Sequence, residues 1–164
     1  MKKRCFPPFF DTETRLLLLG SLPGEASLAA GRYYAHPQNL FWRLMSEALR
    51  EDIAALDYEA RVAALTRRHV GLWDVTAEAE REGSLDSAIR NAMDNDLLGL
   101  INLSPALVAI GFNGKRASRI GRKLLTGLDK PIALVDLPSS SPAYASLPYA
   151  EKARAWRALG EVLN

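Results

Sequence analysis

The sequence has almost no cysteine or histidine. Cys5 is the single cysteine in 164 residues, so no internal disulfide can form and a reducing, cytoplasmic setting is expected. With one cysteine and two histidines there is no ligand cluster, so neither a metal nor a cofactor is expected. No apolar run approaches the roughly 20 residues of a membrane span, which argues against a membrane partner. The start MKKRCFPPFF is basic, but Pro7, Pro8, Asp11 and Glu13 break the apolar stretch, so no signal peptide is expected.

What is present is ordinary in bulk and uneven in placement. Hydrophobic residues make up 48% and charged residues 24%, a balance that buries a core. One domain over residues 1–164, with residues 1–14 as an irregular arm, is the expected organisation, and a monomer is the expected state. The net charge of +2 is too small for global charge to argue for nucleic acid. Locally, Lys115, Arg116, Arg119, Arg122 and Lys123 follow one another without an intervening acid. At ~100° per residue they fall on one side of a helix. Such a stripe is either a solvated face or a surface that meets phosphates. Asp74 to Asp96, by contrast, is mostly acidic.

Short apolar runs bounded by turn residues predict strands at 15–20, 70–75, 106–110 and 131–137, with Gly111–Gly114 as the turn after the third. Helices are predicted at 24–30, 40–50, 57–68, 96–103, 112–125 and 150–163. The second is marked by the spacing of Leu40, Phe41, Leu44, Met45, Ala48 and Leu49 behind Asn39 as N-cap. Residues 76–96 read as short helices and loops, and Leu137–Pro148 as a Ser/Pro loop. Strands that alternate with helices predict an α/β fold, a parallel sheet with helices on both faces.

Four places can carry chemistry. Gly20–Ser27, GSLPGEAS, is a Gly/Pro turn after a strand, and its backbone N–H groups can face an anion. It has neither the Gly-Lys-Ser/Thr of a P-loop nor a GxGxxG pattern. Tyr33–Asn39, YYAHPQN, offers Tyr34 as a stacking ring, His36 as acid, base or local cap, and Asn39 as cap or amide ligand. Asp74 closes a strand, either as a turn aspartate or as a carboxylate at the sheet edge where α/β sites gather. Ser139, Ser140 and Ser141 lie between prolines, as a connecting loop or as a grip on phosphate oxygens.

Taken together and in order, these pieces resemble the uracil-DNA glycosylase superfamily over nearly the whole chain. The nearest pattern is its hypoxanthine-DNA (deoxyinosine) glycosylase branch. That branch carries G-S-x-P-G, then Y-A-H-P-x-N-x-F-W, then P-S-[ST]-S-P-A, matched here by Gly20–Gly24, Tyr34–Trp42 and Pro138–Ala143. The resemblance implies a three-layer α/β/α fold around a four-stranded parallel sheet. Two departures from most of the superfamily stand out. Leu22 replaces the Asp or Asn that handles the attacking water, and the His that opens the last motif is absent. The hypoxanthine branch shares both departures and assigns its catalytic amide to the Asn of H-P-x-N, here Asn39.

By that resemblance the partner is damaged DNA, and the reaction is hydrolysis of a base–deoxyribose bond after the nucleotide is flipped out. Ser21, Leu22, Tyr34 and Asp74 would bind the base, with Tyr34 stacking on it and Asp74 accepting N1–H of hypoxanthine, a proton adenine lacks. Asn39 would orient water, base or sugar, because an amide is no base. Ser139, Ser140, Ser141, Lys115, Arg116 and Arg119 would hold phosphates, and Tyr144 or Leu147 would wedge into the vacated stack. No lysine lies in the motifs, so a monofunctional enzyme without lyase chemistry is expected. Three other readings stand beside this one: a uracil- or mismatch-directed glycosylase, a phosphate- or nucleotide-binding α/β domain without DNA activity, and a DNA-binding protein of this fold that has lost catalysis.

Overall fold

Side chains alternate along a strand, so Leu16 and Leu18 face one side of the sheet and Leu17 and Leu19 the other, all four buried. A strand with no wet face needs a cover on each side, and the rest of the chain supplies it. In the computed structural model, which describes residues 1–164, the elements run β1 (Lys2–Arg4), β2 (Leu16–Gly20), α1 (Glu25–Ala30), α2 (Phe41–Leu49), α3 (Tyr58–Arg67), β3 (Val70–Asp74) and β4 (Thr76–Glu80). There follow β5 (Arg90–Asp94), α4 (Leu97–Asn102), β6 (Ala109–Asn113), α5 (Lys115–Leu124), β7 (Ala133–Leu137) and α6 (Tyr149–Gly160).

Four strands form a parallel sheet in the order β3-β2-β6-β7. On one face Leu16 and Leu18 pack with Phe41, Leu44 and Met45 of α2, Leu65 of α3, and Trp156 and Leu159 of α6. On the other, Leu17 and Leu19 pack with Leu97, Leu100 and Ile101 of α4, Phe112 of β6 and Ala117 of α5. The expected three-layer α/β/α fold with a four-stranded parallel core is therefore present.

Three local expectations need correction. The arm is not irregular throughout: β1 pairs antiparallel with β4, and Phe9 exchanges both backbone hydrogen bonds with Leu72. Residues 76–96 contain two strands besides a short 3-10 helix at Asp86–Ala88 and loops, since β4 pairs with β5 to complete a second, three-stranded sheet. All of β5 is exposed and β1 is KKR, so neither carries the apolar period that betrays a strand. The third core strand lies three residues later than expected, at 109–113 rather than 106–110. Gly111, read as a turn, sits in the sheet where Leu18, Leu137 and Leu159 crowd its Cα. The shift carries Asn113 to the strand's carboxyl end.

Helices α2 and α6 cross at a contact only glycine allows. A Cβ at Gly160 would lie 1.9 Å from the carbonyl oxygen of Ala48. Gly160→Ala is expected to force the helices apart and lower the urea-unfolding free energy by about 2–3 kcal/mol. An equilibrium denaturation curve checks this, and an unchanged midpoint would mean that the crossing is loose.

Candidate active site

The four parallel strands end on one edge, at Gly20, Asp74, Asn113 and Leu137. The turns that follow them enclose a cleft of about 940 Å³. Twelve of the residues singled out from the sequence line it: Ser21, Leu22, Tyr34, Asn39, Asp74, Lys115, Arg116, Arg119, Ser139, Ser140, Ser141 and Tyr144. His36 lines it as well, whereas Leu147 does not.

Asp74 is 4% exposed, and its Oδ2 has no hydrogen-bond partner. Burial pushes the carboxyl up to about 7, the nearby charge of Asp86 adds to that, and the Arg81 cation opposes it. The carboxyl lies against the backbone of Gly20, where a Cβ would stand 2.7 Å from Oδ1 and 3.0 Å from the Tyr34 hydroxyl. Glycine at the end of β2 is thus what lets both groups reach the cleft. Tyr34 itself has φ 53°, in the left-handed region, and its ring stacks on Phe41 at a centroid distance of 3.8 Å and 7° between planes. Burial and the charge of Asp74 push its phenol well above the usual range.

Asn39 precedes α2 and is not its N-cap residue, which is Leu40. Its Oδ1 nevertheless accepts the Phe41 N–H at 2.9 Å, a backbone N–H of the first turn as expected. That contact fixes the amide and leaves its NH2 without a protein partner. His36 is a local acceptor: its Nδ1 takes the Gln38 N–H at 3.0 Å. In the first turn, Glu25 N–H is bound by Ser84 Oγ at 2.9 Å, while the N–H groups of Ser21, Leu22 and Gly24 have no acceptor within the chain.

The serines do not act alike. Ser140 is 1% exposed and turned inward. Asn113 clasps it twice, with Nδ2 donating to Ser140 Oγ and Oδ1 accepting Ser140 N–H, both at 2.9 Å. Its carbonyl accepts the Leu40 N–H at 3.0 Å, which ties the serine loop to the Asn39 turn. Two further bonds pin the loop: Trp156 Nε1 to the Pro138 carbonyl at 3.1 Å, and Lys152 Nζ to the Tyr144 carbonyl at 2.5 Å. Ser139 and Ser141 only accept N–H groups within the loop.

The basic stripe is likewise not one face. Lys115 and Arg119 are exposed beside the cleft. Arg116 folds inward, its guanidinium donating to Ser21 Oγ at 2.7 Å and Thr76 Oγ1 at 2.8 Å. Arg122 pairs with Asp136 at 3.1 Å. Helical spacing fixes where a side chain starts, and these local partners decide where its charge ends.

Three lining or supporting residues were not legible beforehand. Asn113 was hidden by the misplaced strand; a polar residue closing a buried apolar run was the available signal. Asp86 and Arg81 belong to the β4–β5 hairpin, whose polar sequence offered none. No group of three or more His, Cys, Asp or Glu side chains is placed to hold a metal ion.

With this geometry in place, comparison with known proteins is specific. The model of the uracil DNA glycosylase superfamily matches residues 7–160, and the chain belongs to that superfamily. Within it, the chain is 43% identical over 117 residues to a Methanosarcina barkeri protein named hypoxanthine DNA glycosylase, covering 71% of this chain and 74% of that one. A Methanosarcina acetivorans protein of the same name is 41% identical over 143 residues, 87% and 89% of the two chains. The solution NMR structure of a candidate uracil DNA glycosylase from Methanosarcina acetivorans superposes with a TM-score of 0.86 at 38% identity, over 99% of both chains.

The Asp74 environment has a consequence for stability. Its carboxyl sits near 3.8 when solvated and at about 7 when folded, so the folded state binds the proton more tightly. The stabilisation this provides is complete below the solvated value and is lost as pH rises through the folded one. Between pH 5 and pH 8 the unfolding free energy is expected to fall by about 2–3 kcal/mol more than in Asp74→Asn. Parallel pH-stability curves for the two proteins would refute this reading of Asp74.

Proposed function

We propose that the protein is a monofunctional DNA glycosylase that removes hypoxanthine, the base of deoxyinosine, and so opens base excision repair. The observation that carries the reading is the buried Asp74 Oδ2 without a partner, in a cleft walled by an aromatic ring. A buried acceptor left unpaired is costly, and a ligand N–H relieves it. Hypoxanthine offers N1–H, whereas adenine has no proton there and would leave the acceptor unpaired. The names of the Methanosarcina relatives support the same substrate.

In this reading the nucleotide leaves the duplex and its base enters the cleft. Phe41 covers one face of Tyr34, and the base takes the other. The C1′–N9 bond breaks and its electron pair departs with the base. Water supplies hydroxyl to C1′, and its proton ends on the base. The Asn39 NH2 orients the water or the base, and the free N–H groups of Ser21, Leu22 and Gly24 receive the charge that develops on the leaving group. Ser139, Ser141, Lys115 and Arg119 meet the flanking phosphates, while Arg116 and Ser140 hold the walls from within. The enzyme works as a monomer of one domain in the cytoplasm.

Uracil also carries an N–H suited to Asp74, and the superposing structure is described as a candidate uracil DNA glycosylase, so the two substrates must be compared directly. Single-turnover cleavage of matched duplexes is expected to be faster for deoxyinosine than for deoxyuridine; the reverse order would move the protein to the uracil-directed group. Asn39→Ala is expected to slow deoxyinosine cleavage tenfold or more, about 1.4 kcal/mol in barrier. Asp74→Asn, which keeps an acceptor oxygen, should retain more activity than Asp74→Ala. Cleavage by the native protein should rise with pH through about 7 as Asp74 loses its proton. A pH-independent rate would separate Asp74 from base recognition.

A further inference from the structure

Arg81 follows β4 and is 2% exposed, one of the largest fully buried side chains in the protein. A guanidinium stays charged, and taking it out of water costs several kcal/mol unless it is well paired. Its hydrogen bonds go only to carbonyls: Nε donates to Gly83 at 3.0 Å, Nη1 to Leu22 at 3.5 Å, and Nη2 to Pro23. Two of these carbonyls belong to the turn that lines the cleft. The peptide bearing the Pro23 carbonyl also bears the Gly24 N–H, which has no acceptor in the chain. Donation to that carbonyl polarises the peptide toward its free N–H.

The charges that surround Arg81 come from four directions. Asp86 stands on its own hairpin, Glu25 on α1, Asp74 on β3 and Arg116 on α5; the three acids favour the cation, and Arg116 opposes it. Asp74 in turn has Asp86 and Arg81 as its charged neighbours, with Tyr33, Tyr34 and Cys5 as the other titratable groups close to it. No motif of the sequence contains Arg81, and nothing in the base-binding scheme above uses it.

We propose that Arg81 is a positioning residue for this site: bound to the Leu22 and Pro23 carbonyls of the same turn whose Gly20 lies against the Asp74 carboxyl, it fixes the peptide planes that receive the departing base and sets its charge to support negative charge at Asp74. The turn-holding half of this assignment rests on the glycosylase reading; the support of Asp74 does not. Arg81 makes hydrogen bonds only to carbonyls, and an apolar side chain would pack there more cheaply.

The test separates the two halves. The Asp74 carboxyl is titrated by 13C NMR in DNA-free protein, and single-turnover cleavage of deoxyinosine is followed in parallel. Arg81→Met is expected to move the Asp74 midpoint upward by one pH unit or more and to slow cleavage at pH 7 tenfold or more, with part of the loss recovered at higher pH. Arg81→Lys keeps the charge but not the forked contact. It is expected to hold the midpoint within half a pH unit of the native value while still slowing cleavage severalfold. Asp86→Asn, at an exposed position, is expected to lower the midpoint. A merely structural Arg81 would lower the melting temperature and leave the Asp74 midpoint where it was, and that result in a folded Arg81→Met protein overturns the proposal. If Arg81→Met does not fold, full cleavage activity in Arg81→Lys, or an Asp74 midpoint displaced by more than one pH unit despite the retained charge, overturns it. A native protein inert on deoxyinosine would end the glycosylase reading while leaving the NMR titration to decide the support of Asp74.

Discussion

Parallel pairing of a strand buried on both faces is the constraint on which the rest of this structure depends. β2 has no solvent side, so helices must cover it twice, and each return to the sheet requires a crossover. All four strands then run the same way and finish on one edge, with Gly20 level with Asp74 and Asn113 level with Leu137. Residues scattered over more than a hundred positions of sequence meet there because of strand direction, before any specific side-chain contact is considered.

At that edge the protein holds charges in places that stability alone would not select. A carboxyl without a full set of partners lies at the cleft floor, and a guanidinium bound only to carbonyls lies behind the adjoining turn. Each is expensive by itself. Asp86 adds to the effect of burial on Asp74 and Arg81 opposes it, and the second sheet is what brings both into range, since β4 leads directly into Arg81 and the hairpin bears Asp86. The antiparallel sheet is thus part of the electrostatics of the cleft as well as its outer wall.

Much of this was readable from sequence, and the reasons are physical. The Leu-rich core strands and the amphipathic α2 are periodic because they are buried, so burial could be read back from them. The motif residues gather in the cleft because the parallel strands that precede most of them end on one edge. The second sheet was invisible because its strands are short, polar and exposed, and their pairing depends on distant segments. Gly111 looked like a turn because glycine marks both turns and crowded sheet positions, and only tertiary packing distinguishes them. Arg116 and Ser140 were read as outward-facing because spacing reports where a side chain begins, while hydrogen-bond partners such as Thr76 and Asn113 determine where it ends.

The clasp on Ser140 has a thermodynamic consequence. A proline- and serine-rich connection of this length would ordinarily sample many backbone conformations, and ordering it on a ligand would subtract from the affinity. Here Asn113, Leu40, Trp156 and Lys152 immobilise it before any DNA arrives. The entropy of that loop has already been surrendered during folding, where the cooperativity of the whole core compensates for it. Under the proposed function, contact of this loop with a phosphodiester begins from a preformed template, and the free energy of each new hydrogen bond goes into holding the strand rather than into shaping the protein.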